Sequence, residues 1–144
     1  MSTSSPFSVE NRVGRLVEAR LFAPRTVEEV DAFREGLRSA FVAAGERCLI
    51  CADWRGANLL APPVADALVG LLRRGNRHFE RSAVLLPDGA PLFALQVERV
   101  VREAGSPGRR TFVSARALCA WLGEMATDAE KKRMVAFFSE GGRP

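Results

Sequence analysis

Histidine, cysteine and long apolar runs are all scarce in this sequence, and each shortage excludes a class of protein. No apolar run approaches the roughly 20 residues that a transmembrane helix needs. The first residues, MSTSSPFSVENR, lack the basic start and apolar core of a secretory signal peptide. We therefore expect a cytoplasmic protein without a membrane span.

The three cysteines do not indicate a disulfide framework, which requires a larger and even number. Cys48 and Cys51 form a CxxC, but a thioredoxin-type pair lies in the first turn of a helix, where its thiolate is stabilised. Here the pair lies within RCLICADW, a predicted strand, in which positions i and i+3 point to opposite faces. We predict no redox pair, and we place Cys119 in the core because it lies on an apolar helical stripe.

Catalytic signatures are also missing. The sequence contains no P-loop, GxGxxG, HExxH or GxSxG motif. The single histidine, His78, lies in a basic segment between two predicted elements, and no set of His, Cys and carboxylates has the spacing of a metal site. We therefore predict a protein that is not an enzyme, with no catalytic residue, no cofactor and no metal.

Basic residues concentrate in one short segment of a chain whose formal net charge is +4. The segment, residues 73–81, contains Arg73, Arg74, Arg77, His78 and Arg81. A nucleic-acid groove would combine such charge with exposed aromatic side chains, and only Phe79 is interleaved here. We prefer to interpret the segment as a solvated helix end and loop, with nucleic-acid binding as an alternative.

Apolar periodicity predicts the element order β-β-α-β-α-β-α-β-α, followed by one more helix. Strands that alternate with helices through short connections are typical of an α/β domain. We predict a single domain with a mixed, mostly parallel sheet of about five strands and covering helices. We assign residues 1–5 to a flexible tail, residues 6–123 to the domain, and residues 124–144 to an amphipathic C-terminal helix and tail. Thr127 and Glu130 form a capping box that begins this last helix.

The candidate site lies in the segment DWRGANLLAPPVADALVGLLRR, residues 53–74. Asp53 ends a predicted strand, at the edge of the sheet where α/β proteins place their ligands. Pro62 and Pro63 suit the first turn of the helix that follows. That helix lacks a Ser, Thr, Asp or Asn cap, so its N–H groups are candidates to bind an anion. Two structural alternatives remain: Asn58 caps the helix, and Asp53 only fixes the turn.

Several local matches give the sequence a resemblance to the SpoIIAA-like proteins of the STAS superfamily, which includes the anti-sigma factor antagonists. The resemblance spans residues 7–123. Asp53 matches the Asp that ends the third strand of an antagonist, and Pro62 and Pro63 fall on the phosphoacceptor Ser and the next hydroxyl residue. The segments HFERSAVLLPD, LFALQVERVVREAG and RRTFVSARALCAWL resemble the fourth strand and the closing helix, strand and helix of the SpoIIAA-like branch.

The resemblance implies a STAS-like fold without the phosphorylation switch, because proline cannot accept a phosphoryl group. The function it implies is a non-catalytic interaction module in bacterial signalling or regulation, which binds an unidentified protein partner. The contacts we predict are Asp53, Trp54, Arg55, Asn58, Pro62 and Pro63. Arg and Trp are over-represented among interface hot spots, and a half-buried Trp54 is the alternative. On this interpretation Arg55→Glu weakens partner binding and leaves the melting temperature unchanged.

A second interpretation is that the protein binds a small apolar, lipid-like ligand, because the SpoIIAA-like branch resembles lipid-carrier domains in outline. On the C-terminal helix, Met134, Phe137 and Phe138 form an apolar face that would cover such a pocket. The same face would equally pack on the sheet, or on a second copy of the chain to form a homodimer.

Overall fold

A five-stranded sheet forms the centre of the computed structural model, which describes residues 5–45 and 47–140. The strands are β1 (Phe7–Val13), β2 (Leu16–Leu21), β3 (Cys48–Asp53), β4 (Phe79–Leu85) and β5 (Arg109–Phe112). They lie in the order β1-β2-β3-β4-β5; β1 is antiparallel to β2, and the remaining pairs are parallel. The predicted fold class, a mixed and mostly parallel α/β sheet, is confirmed.

Helices cover both faces of this sheet. One face carries α1 (Val27–Ala44), α2 (Pro62–Gly75) and α3 (Pro91–Ala104), whose apolar residues pack with the sheet in one core. The opposite face carries α4 (Ala115–Gly123) and α5 (Asp128–Ser139), which form a second core. The helices α1, α2 and α3 each connect neighbouring parallel strands in sequential order, so right-handed crossovers place all three on one face, and α4 and α5, which follow β5, cover the other.

The central strand β3 is buried along its whole length. Its side chains alternate between the two cores, so that Cys48 faces the α1–α3 side and Cys51 faces the α4–α5 side. Burial raises the pKa of Cys48 to about 11 and that of Cys51 well above its usual value. Both thiols therefore stay protonated near neutral pH, and the two sulfur atoms cannot act as a redox pair.

The C-terminal helix α5 packs on the sheet. Met134, Phe137 and Phe138 are buried in the core that this helix shares with α4. Of the alternatives for this apolar face, the structure shows packing on the sheet, with all three side chains buried within the described chain. Cys119 is half-buried against the same core. The predicted N-terminal tail, apart from Ser5, and residues 141–144 lie outside the described residues.

Glu130 joins the start of α5 to the turn between β1 and β2. Thr127 Oγ1 accepts a hydrogen bond from the backbone N–H of Glu130, at 3.2 Å, and Glu130 Oε1 accepts one from the N–H of Thr127, at 2.8 Å. This confirms the predicted capping box. The second carboxylate oxygen, Oε2, accepts from the backbone N–H of Arg15, at 2.9 Å. One buried carboxylate thus satisfies donors from two distant parts of the chain.

We expect Glu130→Gln to destabilise the protein by about 1–3 kcal/mol at pH 7, since one of two buried donors loses its acceptor. Burial acts to raise the pKa of Glu130, but the hydrogen bonds from Thr127 and Arg15 outweigh it and the pKa is lowered. A lowered pKa stabilises the fold above the unfolded-state value of about 4.3, and this contribution is lost as pH falls through the folded value. The difference between the wild type and the variant should therefore shrink below about pH 4.

Urea unfolding at pH 7 and pH 3 measures both effects. Asp128→Asn is the matched control, because Asp128 lies in the same helical turn with an exposed side chain. A Glu130→Gln destabilisation that is equal at the two pH values would contradict this assignment.

Candidate functional site

Asp53 and Arg55 form an ion pair at the end of β3. Arg55 Nε donates to Asp53 Oδ1 at 2.9 Å, and Arg55 Nη2 donates to Asp53 Oδ2 at 2.8 Å. The backbone N–H of Arg55 also donates to Asp53 Oδ1, at 3.1 Å, and Asp53 is only 3% exposed. The structure therefore shows the alternative role of Asp53, a carboxylate that fixes the turn.

Arg55 also ties this turn to α5. Its Nη2 donates to the backbone carbonyl of Phe138 at 2.8 Å, near the last turn of that helix. About a third of the Arg55 side chain is exposed. Arg55 thus has a structural role that the sequence analysis did not assign to it.

Trp54 lies in the core, so its prediction as a surface contact is wrong. The residue is 2% exposed and packs with the apolar side chains of the α1–α3 face. Trp54 follows β3 with the same parity as Ile50 and Ala52, and this parity directs its ring inwards. Its indole Nε1 is buried and has no acceptor among the residues that the structure describes.

The start of α2 carries no side-chain cap, as predicted. The alternative, in which Asn58 caps the helix, is wrong. Asn58 Oδ1 accepts from the neighbouring N–H of Leu59, at 2.9 Å, and Ala61 is the N-cap residue. Pro62 and Pro63 occupy the first two helical positions and have no N–H to donate. Val64 is left with the first N–H of the helix, so this terminus offers an anion far less than an ordinary helix start.

The loop before α2 is held against α3 by Gln96, a contact that the sequence analysis missed. Gln96 Oε1 accepts from the backbone N–H of Leu60 at 2.9 Å, and Gln96 Nε2 donates to the carbonyl of Leu60 at 2.8 Å. The signal in the sequence was a single amide within the apolar periodicity of PLFALQVERVV.

A cavity of about 520 Å³ lies between α1 and α2, over the sheet. Its wall is mainly apolar and includes Phe33, Leu37, Ile50, Leu71 and Val84. Small side chains on the strands, Ala19, Ala52 and Ser82, leave the space beneath the helices open. This cavity differs from the pocket expected from the sequence, which would lie beneath α5 on the opposite face of the sheet.

The polar part of the cavity wall is basic. It contains Arg34, Arg38, Arg74, His78 and Arg109, and the described lining includes no Asp or Glu. The Nε of Arg34 is buried and lacks an acceptor among the residues that the structure describes. The cavity is therefore apolar along its walls and positive in charge.

Arg109 illustrates this charge. Its three nitrogens donate to the neutral acceptors Leu72 O at 2.8 Å, Asn76 Oδ1 at 3.2 Å and Ser82 Oγ at 3.3 Å. Burial without a carboxylate lowers the pKa of Arg109 to about 10. The guanidinium remains positive at neutral pH.

The basic segment 73–81 does not form one surface. Arg73 donates to the carbonyl of Glu103 in α3, whereas Arg81 contacts Trp121 and Glu124 on the opposite face of the sheet. Phe79, the interleaved aromatic residue, is buried. The arrangement thus lacks the exposed stacking platform of a single-strand nucleic-acid groove.

Neither a membrane-spanning helix nor a metal-binding cluster is found in the parts of the chain that the structure describes. Within residues 5–45 and 47–140 no helix has the length and apolarity needed to cross a membrane. The same residues contain no group of three or more His, Cys, Asp or Glu side chains placed to hold a metal ion.

Comparison with solved structures identifies the fold. An uncharacterized protein of the DUF3478 family from Shewanella loihica PV-4, which has a SpoIIAA-like fold, superposes with a TM-score of 0.60. The sequences are 16% identical, and the match covers 85% of this chain and 98% of the other. No protein-family model and no curated protein matches the sequence. The chain therefore has a SpoIIAA-like fold, which confirms the resemblance at the level of the fold.

We expect Arg55→Glu to lower the free energy of unfolding by at least about 2 kcal/mol, because it leaves the buried Asp53 unpaired and adds a second carboxylate beside it. This replaces the expectation of an unchanged melting temperature. Thermal and urea unfolding measure the effect, with Arg77→Glu as a control that reverses an exposed charge. Equal melting of the two variants would show that the ion pair is not a structural tie.

Proposed function

We propose that this protein is a STAS-type module that binds a small, largely apolar ligand in the cavity between α1 and α2. The cavity itself is the observation that carries the proposal. A volume of about 520 Å³ falls within the range of small-molecule sites, which is about 300–1,000 Å³. The space opens to solvent at one end and is lined mainly by apolar side chains, as small-molecule clefts commonly are.

The rest of the fold supports this choice of site. The opposite face of the sheet is filled by large side chains, among them Leu49, Leu85, Met134 and Phe137. The cavity face instead combines small strand residues with apolar helix residues, as ligand pockets commonly do.

The proposed activity is binding without catalysis. A nucleophile needs a base within hydrogen-bond reach, and the hydroxyl group in the cavity wall, Ser82 Oγ, instead accepts from Arg109. An arginine that donates to a hydroxyl does not remove its proton. Regulation by phosphorylation has no place in the proposal either, because Pro62 stands at the matching position of the antagonists.

Ala52→Leu tests the site. Ala52 lines the cavity on β3, so a leucine fills space that the ligand would occupy. We expect at least a tenfold loss of affinity for the neutral apolar probe N-phenylnaphthylamine, measured by fluorescence titration, with the melting temperature unchanged or raised.

Ala83→Leu is the matched control. Ala83 lies on the neighbouring strand β4 and is fully buried in the α4–α5 core. Overpacking there should destabilise the protein by about 1–3 kcal/mol and leave probe affinity in the folded state unchanged. If Ala52→Leu destabilises the protein as Ala83→Leu does and still binds the probe, the cavity is not the binding site.

A second candidate function is protein binding at the surface next to the α2 start. Leu59 is 56% exposed there, and Leu92 and Leu95 on α3 are 67% and 63% exposed. The two hydrogen bonds between the Gln96 side chain and the backbone of Leu60 hold the loop that contains Leu59 against this helix. A group of exposed apolar side chains is typical of a protein-binding surface, here one for a partner in bacterial signalling.

Leu95→Arg tests this second function. We expect it to abolish co-purification of a stoichiometric protein from the native lysate in moderate salt, without a change in melting temperature. Val135→Arg is the control, because Val135 is a similarly exposed apolar residue on the other face of the sheet. Equal capture by all three proteins would rule out this surface as the binding site.

A further inference from the structure

Two buried hydrogen-bond donors in the cavity wall have no acceptor among the described residues. They are Trp54 Nε1 and Arg34 Nε, and Trp54 is 2% exposed. A buried donor without an acceptor costs about 1–3 kcal/mol, and more when it belongs to a charged group. Such groups in a native structure call for an explanation, and an acceptor that belongs to a bound ligand is one.

The chain path places both donors towards the same end of the cavity. Helix α1 leads from the carboxyl end of β2 to the amino end of β3, and these strands are parallel, so α1 runs antiparallel to them. Its first half, which contains Arg34, therefore lies towards the carboxyl edge of the sheet. Trp54 lies at that edge, directly after β3.

The opposite end of the cavity is the open one. The exposed lining residues lie in the last turns of α1 and α2 or directly after them; they include Val42, Gly45, Arg74 and His78. Strand register places Ile50, Ser82 and Arg109 in one row across the sheet, and Trp54 lies four residues beyond Ile50. At about 3.3 Å per residue, roughly 13 Å of mostly apolar wall separates Trp54 from that row.

We infer that the ligand is an amphiphilic carboxylate of the fatty-acid type, whose carboxylate accepts hydrogen bonds from Trp54 Nε1 and Arg34 and whose apolar chain lies along the sheet towards Arg109. This inference rests on the proposed ligand-binding function and adds the chemistry of the ligand. A carboxylate supplies acceptors to both donors and a counter-charge to a cavity whose described wall holds arginines and no acid.

Decanoate and decanol are the probes, because they have the same chain and differ in the head group. Isothermal titration gives both affinities, and the indole ¹⁵N–¹H resonances report where they bind. Trp121 lies on the α4 side of the sheet and serves as an internal reference; the Trp121→Phe variant assigns the two resonances. We expect decanoate to bind roughly ten- to a hundredfold more tightly than decanol and to shift the Trp54 indole resonance alone.

Three substitutions at the two donors sharpen the test. Arg34→Gln and Trp54→Phe should each lower the ratio of decanoate affinity to decanol affinity at least tenfold, and Arg34→Lys should restore part of this ratio. Arg38→Gln is the matched control, because Arg38 also lines the cavity but is exposed and pairs with Glu35 at 3.4 Å. It should have less than a threefold effect.

The outcomes separate the two claims. Equal binding of decanol and decanoate, with no effect of Arg34→Gln or Trp54→Phe, would overturn the assignment of a carboxylate and leave an apolar site in place. No binding of either probe, with an unshifted Trp54 resonance, would overturn both the assignment and the proposed function.

Discussion

The burial of β3 on both faces is the constraint from which the rest of this structure follows. Every residue of the strand is buried, so each of its two sets of side chains must meet a separate layer of helices. The two layers are filled unequally. On the α4–α5 side, Leu49 and Cys51 meet large apolar residues of both helices, while on the other side the small Ala52 lies beneath the gap between α1 and α2. The cavity is the result of that difference.

Asp53, the residue that ends β3, has a structural role. Asp53 is fully engaged by Arg55, and Arg55 in turn contacts the carbonyl of Phe138 on α5. The loop that follows β3 is thereby fastened to the C-terminal helix. Pro62 and Pro63 carry neither a hydroxyl group nor an N–H, so these two positions can neither be phosphorylated nor donate to an anion at the helix start. The exposed apolar side chain next to this helix start is that of Leu59.

The sequence was sufficient to predict the features that local pattern controls. The order of strands and helices, the capping box of Thr127 and the opposite facing of Cys48 and Cys51 all follow from periodicity and short-range hydrogen bonding. The same parity argument, extended one step past Asp53, would have placed Trp54 inside the core. The remaining features depend on contacts between distant segments. The contact of Arg55 with the carbonyl of Phe138 depends on the position of α5, and the cavity depends on the spacing of α1 from α2. A local pattern encodes neither.

Trp54 lies between the cavity and the exposed leucines, the two sites for which a function is proposed. Its ring forms part of the cavity wall, and its backbone carbonyl accepts from the N–H of Ala57 within the loop that leads to Leu59. A ligand that binds the folded chain alone stabilises it in proportion to the logarithm of its concentration over its dissociation constant. Because the loop begins at Trp54, a ligand that holds the Trp54 ring in place also stabilises the start of this loop. The cavity and the loop that leads to Leu59 therefore meet at Trp54, whose side chain lines the cavity and whose backbone carbonyl holds the loop.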